Sequence, residues 1–271
     1  MTLQRVLVLS AALAAGAPAA LAQQRLAVPL SDPGRPATLD VSLFMGEVTV
    51  SAYDGDEIVI MIDDDDDERD DNDDDDARRN GLRRIPNSAL GITAEERDNT
   101  VSVKLDPSPR NVELDISVPR QTSVRASVVN GGDVTLRGVT GEHELSNVNG
   151  DVIATDISGA AVVGTTNGDV EVSFVQITPG KAMSFSSFNG DVDVTLPANL
   201  AADLRVNSGH GDLFTDFEVE IAPQPPVVER GGDAGGRTQV RMERGMRAVI
   251  GGGGPEIRFR TFNGDIMLRK R

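Results

Sequence analysis

Hydrophobic and polar residues alternate in short runs along most of the chain. After Asp169, for example, Val170 and Val172 are apolar and Glu171 between them is charged, and a similar order follows other Asp residues. A period of two is typical of β-strands that bury one face. No segment after the first 22 residues has the 3.6-residue period of an amphipathic helix. The pattern therefore predicts an all-β protein.

One short turn sequence recurs and divides the chain into units. Its Asp residues are separated by 18, 18, 22, 21 and 53 positions. Asn-Gly is a strong turn signal because both residues tolerate a positive φ. A second glycine lies midway through the first two units, at Gly141 and Gly159, so each unit is predicted to be strand, turn, strand, turn. The copies are Asn130-Gly131-Gly132-Asp133-Val134, Asn149-Gly150-Asp151-Val152, Asn167-Gly168-Asp169-Val170, Asn189-Gly190-Asp191-Val192, His210-Gly211-Asp212-Leu213, Asn263-Gly264-Asp265-Ile266 and, diverged, Met45-Gly46-Glu47-Val48.

When the units are aligned on their Asp residues, the apolar side chains fall into common columns. The columns after the turn are Val134/Leu136, Val152/Ala154, Val170/Val172, Val192/Val194, Leu213/Thr215 and Ile266/Leu268. Those before it are His143/Leu145, Ala161/Val163, Met183/Phe185, Leu204/Val206 and Ile257/Phe259. Units stacked in this register describe a flattened, single-stranded β-solenoid. An antiparallel sandwich or meander also explains the alternation, but not the return of the turn at every second connection.

Residues 23–271 are predicted to form one β-solenoid domain with two interruptions. Irregular strands from Ala37 to Val118 would form the N-terminal rungs and cap. The acidic low-complexity insertion 63–84 emerges between two of these strands, and its composition predicts a disordered, solvated segment. The Gly/Pro-rich interval 223–254 precedes the last turn copy and is expected to be a flexible connection.

The first 22 residues have the pattern of a cleaved signal peptide. Arg5 supplies the positive start, residues 6–17 are apolar, and Ala20-Leu21-Ala22 matches the small-x-small cleavage pattern. The apolar stretch is shorter than the roughly 20 residues of a membrane-spanning helix. We therefore expect export to the periplasm or cell surface of a bacterium, and a mature chain without a transmembrane segment.

The charge of the chain is concentrated in one place. The net charge is −17, and 11 of the 14 residues from Asp63 to Asp76 are Asp. A field of this sign repels phosphate, and no set of aromatic residues accompanies the basic ones, which excludes nucleic acid as a partner. The acidic run also lacks the glycine and terminal Glu of an EF-hand calcium loop.

The repeated Asp residues are the candidate binding groups. Asp133, Asp151, Asp169, Asp191 and Asp212 are predicted to form a carboxylate ladder on one edge of the solenoid. Each carboxylate could accept hydrogen bonds from turn amides, which is the favoured interpretation. Weak cation binding, as in Gly- and Asp-rich β-rolls, stays open, although only residues 209–212 approach the roll repeat. We assign no metal site and no cofactor.

Few residues are available for catalysis. The chain has no Cys, no Trp, one Tyr and two His, which excludes disulfides and thiol chemistry. His143 falls in an inward column and His210 in a turn, and no G-x-S-x-G elbow is present. A carbohydrate-active enzyme on a β-helix would need paired carboxylates and an aromatic platform, whereas the Phe residues mostly fall in predicted core columns. The sequence therefore predicts no enzymatic activity and no catalytic residue.

The Asn-Gly-Asp-Val turns, taken as a set, resemble the bacterial putative-adhesin domain family, a domain family of unknown function. The segment Val112–Val118 leading into Val128–Val134 is similar to that family's lead-in, and so is Gly46–Val50 followed by Asp54–Ile58. The resemblance covers most of residues 40–270. It implies a β-solenoid at the cell envelope and transfers no catalytic residue.

The function expected is that of an exported, non-enzymatic β-solenoid that acts as a structural or adhesin-like interaction protein of the envelope. Its partner would be an envelope or cell-surface protein or polysaccharide. The alternatives are a carbohydrate-active enzyme on a β-helix scaffold and a calcium-responsive binding module. For the interaction role we expect an exposed strip near Phe214, Met267 and the basic C-terminal end.

Overall fold

The computed structural model describes residues 24–64, 91–105, 111–223, 227–230, 238–241 and 245–271, and this part of the chain consists of strands and turns with no helix. The strands are β1 (Gln24–Pro29), β2 (Ala37–Tyr53), β3 (Glu57–Asp64), β4 (Ile92–Arg97), β5 (Thr100–Leu105), β6 (Val112–Pro119), β7 (Thr122–Arg137), β8 (Thr140–Asn147), β9 (Val152–Asn167), β10 (Val170–Ile177), β11 (Met183–Asn189), β12 (Val192–Leu196), β13 (Ala202–His210), β14 (Leu213–Thr215), β15 (Glu220–Ala222), β16 (Val227–Arg230), β17 (Thr238–Arg241), β18 (Met246–Ile250), β19 (Glu256–Asn263) and β20 (Ile266–Lys270).

The strands form two stacks that lie on either side of one core, as expected for a flattened β-solenoid. We call the stack of strands that run into the Asn-Gly-Asp turns the leading sheet, and the stack of strands that leave them the trailing sheet. Within both sheets the middle strands pair in parallel and in register, so Val170 lies between Val152 and Val192. The predicted solenoid is confirmed, and the antiparallel sandwich is wrong, because its neighbouring strands would run in opposite directions.

The core is filled by the inward columns of the two sheets. Every predicted inward residue before the turn is buried, and after the turn only the pair in the last rung, Leu213 and Thr215, is partly exposed. Three buried phenylalanines pack together in the core. Phe185 packs edge-on against Phe174, with ring centroids 6.1 Å apart, and stacks on Phe259 at 5.5 Å. The alternation of apolar and polar positions therefore reflects burial on one face, as predicted.

At the C-terminal end the rungs do not stack in the order of the sequence. The last segment of the chain is inserted between two earlier ones: β19 pairs with β11 on one side and β13 on the other. Likewise, β20 lies between β12 and β14. The expectation that each unit stacks on the next in sequence is wrong here. The rung of β19 and β20 occupies the place next to β11 and β12, and β13 and β14 lie one rung farther out.

The N-terminal end shows the same kind of insertion. The long strand β2 pairs along its whole length with β7, and its other side pairs with β5 in the leading sheet and β6 in the trailing sheet. The strands β5 and β6, which come later in the sequence, therefore lie outside β2. The expected N-terminal rungs are present. The rung formed by β2 comes first in the sequence, but it lies inside the rung formed by β5 and β6.

Both ends of the solenoid finish in antiparallel strands. At the N-terminal end β4 pairs antiparallel with β5, and β1 and β3 continue the trailing sheet beyond β6. At the C-terminal end β18 and β15 continue the leading sheet beyond β13. The interval 223–254 is thus more than a connection, since it contributes β18 to the sheet and contains the β16–β17 hairpin.

Several sequence predictions fall on other parts of the chain. The signal peptide 1–22 lies outside the described residues, and so does the insertion 63–84 apart from Asp63 and Asp64, which are the last residues of β3. Within the described residues the structure has no helix that is long and apolar enough to span a membrane.

Candidate interaction surface

The Asn-Gly-Asp turns lie above one another and form one long edge of the solenoid, which we call the turn edge. Gly168 shows why glycine is required there. Its φ is +151°, and a Cβ atom on it would overlap the carbonyl oxygen of Gly150 in the neighbouring rung. Any side chain would therefore push two rungs apart. The same overlap with a glycine carbonyl occurs at Gly190, Gly211 and Gly264.

The Asn side chains of the turns bond to one another along the edge. In this Asn ladder the Nδ2 of each Asn donates to the Oδ1 of the Asn in the next rung. The distances are 2.7 Å for Asn149 to Asn130 and 2.8 Å for Asn167 to Asn149, Asn189 to Asn167, and Asn263 to Asn189. Each amide therefore ties two rungs together. His210 occupies the Asn position in the outermost rung.

The Asp side chains form a second ladder beside the first. The Oδ1 of each Asp accepts a hydrogen bond of 2.7 or 2.8 Å from the backbone N–H of the next Asp, in the spatial order Asp133, Asp151, Asp169, Asp191, Asp265, Asp212. The sequence favoured a hydrogen bond within each turn. The donor is instead the amide of a neighbouring rung. Asp265, which the predicted ladder omits, lies between Asp191 and Asp212 because the last rung is inserted there.

A third ladder, which the sequence analysis missed, lies just inside the turns. Two positions before four of the five turn Asn residues lies a buried polar residue whose side chain donates to a glycine carbonyl of the neighbouring rung; the exception is Val128, before Asn130. The bonds join Asn147 to Gly132, Thr165 to Gly150, Ser187 to Gly168 and Thr261 to Gly190, at 2.8–3.0 Å. A polar residue in an otherwise apolar inward column was the signal that could have revealed this ladder.

The Asp ladder is part of a longer column of negative charge. Three acidic residues in register continue the ladder toward the N-terminal end. They are Glu47 on β2, Glu113 on β6 and Asp63 on β3. Partial burial raises the pKa of Glu47, and the nearby carboxylates of Asp133, Glu113 and Asp115 raise that pKa further. Within the described ranges the six ladder carboxylates form no ion pair with a basic side chain.

The described residues contain no group of three or more acidic or histidine side chains placed to hold a metal ion. The ladder carboxylates follow one another at the rung spacing of about 4.8 Å, and all except that of the outermost Asp212 accept an amide hydrogen bond at Oδ1. The cation ladder Asp133, Asp151, Asp169, Asp191 and Asp212 thus stays a prediction.

Residues that include four large, exposed apolar side chains follow the turn edge on the outer surface of the leading sheet, in a column that Thr166 interrupts and Gly209 ends. They occupy the position just before each Asn, and we call this column the apolar stripe. Its members in spatial order are Phe44, Val129, Val148, Thr166, Phe188, Phe262 and Gly209. The large side chains Phe44, Val148, Phe188 and Phe262 are 39–67% exposed. Seven rungs at about 4.8 Å give a length of about 29 Å.

The stripe corrects one expectation from the sequence. The chain has 8 Phe residues, which were expected to lie mostly in the core, but four of them, Phe44, Phe188, Phe214 and Phe262, are exposed. The rings of Phe188 and Phe262 stack on each other, with centroids 4.9 Å apart and planes 7° apart, and His210 packs edge-on against Phe262 at 5.2 Å. The two Phe rings therefore turn one face toward each other, an arrangement that differs from the open platforms that hold sugars.

Both long interruptions of the solenoid leave from the turn edge. At the N-terminal end β3 ends at Asp64. This residue is in register with the turn glycine Gly46, two strands away, and the chain returns to the sheet at β4. At the C-terminal end β18 begins beside Val206, where β13 runs on into the outermost turn. The segments 65–90 and 223–245 are thus attached at the two ends of the stripe. In repeat proteins, insertions commonly cluster on the face that binds.

The exposed strip that the sequence predicted near Phe214 and Met267 is separate from the apolar stripe. These two residues lie on the outer surface of the trailing sheet. Phe214 is exposed and pairs with Met267, which is partly buried. Arg269 next to them forms an ion pair of 2.8 Å with Asp193, and the hydrogen bond that Arg269 donates to this carboxylate raises the pKa of Arg269. Only two apolar side chains meet here, so the patch is much shorter than the apolar stripe.

The one buried histidine is part of the core and not of the turn edge. His143 is 3% exposed and lies in register between Val124 and Ala161. Neither ring nitrogen has a hydrogen-bond partner in the described part of the chain. Burial lowers the pKa of His143 to about 4, so the ring is neutral at pH 7.

Comparison with known proteins agrees with this geometry. The model of the Toastrack DUF4097 family matches residues 43–245. The chain belongs to the Toastrack DUF4097 family. The family resemblance inferred from the Asn-Gly-Asp-Val turns is thereby confirmed. No curated protein gives a significant match.

Two solved structures are similar to this Toastrack domain over nearly their whole length. One is a putative cell adhesion protein from Clostridium sporogenes, with 12% identity and a TM-score of 0.43, covering 92% of this chain and 100% of that one. The other is a putative adhesin from Bacteroides fragilis, with 13% identity and a TM-score of 0.38, covering 93% of this chain and 98% of that one.

Proposed function

We propose that the protein is an exported, non-enzymatic interaction protein of the bacterial envelope, adhesin-like or structural, and that it binds its partner along the turn edge. The observation that carries this proposal is the apolar stripe of seven rungs, with four large side chains exposed to solvent. A group of large apolar side chains exposed along one edge and rimmed by polar ones is typical of an interaction site. The Asn and Asp ladders form that polar rim on one side.

The stripe is also held rigidly, which favours binding. From the rung of Asn130 to that of Asn263, each rung is tied to the next by an Asn–Asn bond, an Asp–amide bond and a side chain to glycine bond, as in the rung that contains Asn189 and Asp191. A surface fixed in this way loses little conformational entropy when a partner binds. The repeat thus supplies a preorganised line of contacts.

Two features favour a non-enzymatic role over a carbohydrate-active enzyme. The ladder carboxylates follow a turn edge, and all except that of Asp212 already accept an amide hydrogen bond, which leaves them poorly suited to act as a free acid and base pair. The exposed rings of Phe188 and Phe262 stack on each other instead of opening a face to a sugar. Export is supported by the signal-peptide pattern of residues 1–22.

The test is capture of partners from an envelope extract by the purified mature chain. The wild type is compared with Phe188→Ser/Phe262→Ser, which removes the centre of the stripe, and with the control Phe214→Ser/Ile221→Ser, which removes two exposed apolar residues elsewhere. Circular dichroism checks that all three proteins are folded. We expect a captured partner to be lost with the stripe variant alone.

The same proteins test the rest of the proposal. Cell fractionation should find the mature chain, beginning near Gln23, in the periplasm or at the cell surface. Capture that is unaffected by the stripe variant, or reduced equally by the control, would contradict binding along the turn edge. Retention of the uncleaved chain in the cytoplasm would contradict export.

A further inference from the structure

We infer that the occupant of the turn edge is a basic amphipathic α-helix of a partner protein, lying along the solenoid axis. This inference rests on the proposed function and names the chemistry of its partner. The apolar stripe is one side chain wide and about 29 Å long, since seven rungs follow at about 4.8 Å. A helix of about 19 residues has this length, at 1.5 Å per residue.

The spacing of the stripe fits a helix better than an extended chain. Successive turns of a helix are 5.4 Å apart, close to the rung spacing of about 4.8 Å. An apolar ridge at i, i+3, i+4 and i+7 could therefore meet Phe188 and Phe262 in adjacent rungs and Val148 two rungs before Phe188. In an extended chain, side chains on one face repeat at about 6.7 Å and would soon fall out of step with the rungs.

The surface on one side of the stripe leaves room for a helix. The neighbouring column of the leading sheet consists of small side chains in register across five strands, which we call the small-residue column. Its members are Ser42, Ser127, Ser146, Gly164 and Ser186, followed by Arg260. A helix is about 10–12 Å wide with its side chains, so it would cover the stripe and rest on this column.

The surface on the other side selects for positive charge. The Asp ladder lies three residues beyond the stripe, at Asp169, Asp191 and Asp265 among others, and forms no ion pair within the described part of the chain. Long Lys and Arg side chains on the flank of a helix could reach these carboxylates while their stems cover apolar surface. Complementary charge of this kind fixes the orientation of a partner.

The charge also argues against two other occupants. A second copy bound through the same edge would bring two columns of ladder carboxylates together, and their charges would repel each other. An anionic lipid surface would be repelled by the same carboxylates. A basic amphipathic helix supplies both groups that the turn edge can bind: an apolar ridge for the stripe and positive charge for the Asp ladder.

The experiment uses two model peptides of 20 residues made of Leu and Lys with one Trp each. One has Leu at helical spacing, and the other has the same composition in scrambled order. The protein contains no Trp and its described part has no helix, so Trp fluorescence reports binding and circular dichroism at 222 nm reports helix formation by the peptide. Affinity is measured at several salt concentrations.

Three variants are compared with the wild-type mature chain. Phe188→Ser/Phe262→Ser removes the apolar contacts. Asp169→Asn/Asp191→Asn/Asp265→Asn removes three charges and keeps each Oδ1 as an acceptor for the neighbouring amide. The charge-matched control is made at exposed acidic residues that belong neither to the Asp ladder nor to the columns beside the stripe, Glu95→Gln/Glu218→Gln/Glu220→Gln.

We expect the patterned peptide to bind the wild type at least tenfold more tightly than the scrambled one and to gain helix on binding. The Phe variant should lose that tenfold difference. The Asn variant should bind both peptides more weakly with a smaller salt dependence, and the control should stay within twofold of the wild type.

Three results would overturn the inference. One is equal affinity for the two peptides, which would mean non-specific attraction to an acidic chain. The second is tight binding without a gain of helix. The third is self-association of the wild type in sedimentation that the Phe variant abolishes, which would assign the edge to a second copy. Stripe-dependent capture from the envelope extract together with any of these would leave the proposed function standing and reject the helix alone.

Discussion

The middle of the solenoid and its two ends are built from the same repeat but stacked differently. From Asp133 to Leu196 the rungs follow one another in the order of the sequence, and all of their strands pair in parallel. At the ends β2 and the β19–β20 segment are each inserted inside strands from elsewhere in the chain. The repeat therefore specifies what a rung looks like but not always which rungs are neighbours.

The turn sequences explain which rung is outermost at the C-terminal end. Asn263 continues the Asn ladder from Asn189, and Asp265 joins Asp191 to Asp212. The side chain of His210 has no amide group with which to continue the Asn ladder, and His210 takes its last position. A rung with a complete turn can thus be bonded on both sides, whereas the rung with His210 is suited to an end. Antiparallel strands beyond it limit further stacking.

The largest effect expected is from a buried charge in the middle. Val170→Asp places a carboxylate between Val152 and Val192 without a partner, and we expect a loss of several kcal/mol, enough to unfold the domain. Leu213→Asp alters the same column in the outermost rung, where the residue is partly exposed, and should cost clearly less. Chemical denaturation followed by circular dichroism measures both.

The matched control for this pair is the outward change Glu171→Lys, which should leave stability nearly unchanged. Equal stability of Val170→Asp and Glu171→Lys would contradict the inward register. Equal costs at positions 170 and 213 would contradict the difference between middle and end.

The next effect concerns the buried His143 in a middle rung. Its pKa is about 4 in the folded protein and near 6.5 when unfolded, so the unfolded state takes up a proton first as the pH falls. The free energy of unfolding should therefore decrease from pH 6.5 to pH 4, by at most about 3 kcal/mol from this group. His143→Leu removes this contribution.

The measurement is the free energy of unfolding of wild type and His143→Leu between pH 4 and 8. The difference between the two proteins should be constant above pH 6.5 and shift in favour of the variant below it. A difference that does not change with pH would show that the ring is protonated as easily in the folded state as in the unfolded one.

A smaller effect tests the inserted rung directly. Asp191→Ala removes the acceptor for the amide of Asp265 and should cost about 1 kcal/mol. If the rungs were stacked in sequence order, the amide of Asp212 would lose its partner instead. Hydrogen exchange should therefore show faster exchange at Asp265 and no change at Asp212.

The same variant tests the cation ladder. If the ladder only supports the turns, the cost of Asp191→Ala should be the same in calcium, magnesium and chelator at fixed ionic strength. A calcium-specific stabilisation of the wild type that the variant lacks would move the protein to the cation-binding class.

The smallest effect is expected from shortening the acidic insertion. The run 65–76 has no apolar residue to add to a core, and long surface insertions cost little loop entropy. Its deletion, which keeps Asp63 and Asp64 of β3 in place, should change the melting temperature by no more than a few degrees. A larger decrease would show that the acidic run binds to the folded part of the chain.

The sequence by itself determined the unit of this protein. Alternation around residues such as Val170 and Glu171 specified which side chains face inward, because in a strand the side chains point to opposite faces at every step. The Asn-Gly-Asp turns specified where the strands end and, through their glycines, how closely the rungs can approach. The fold class and the edge on which the Asp residues lie could be predicted from these local rules.

Only the tertiary structure decided how the units are ordered and which surface they create. The insertion of β19 next to β11 joins residues more than 70 positions apart, and the local pattern of either strand fits several neighbours equally well. The exposure of Phe188 and Phe262 depends in the same way on this stacking, since each ring is covered or open according to what lies in the adjacent rungs. Side-chain direction follows from the neighbouring residues in the sequence, whereas strand pairing is a property of the whole stack.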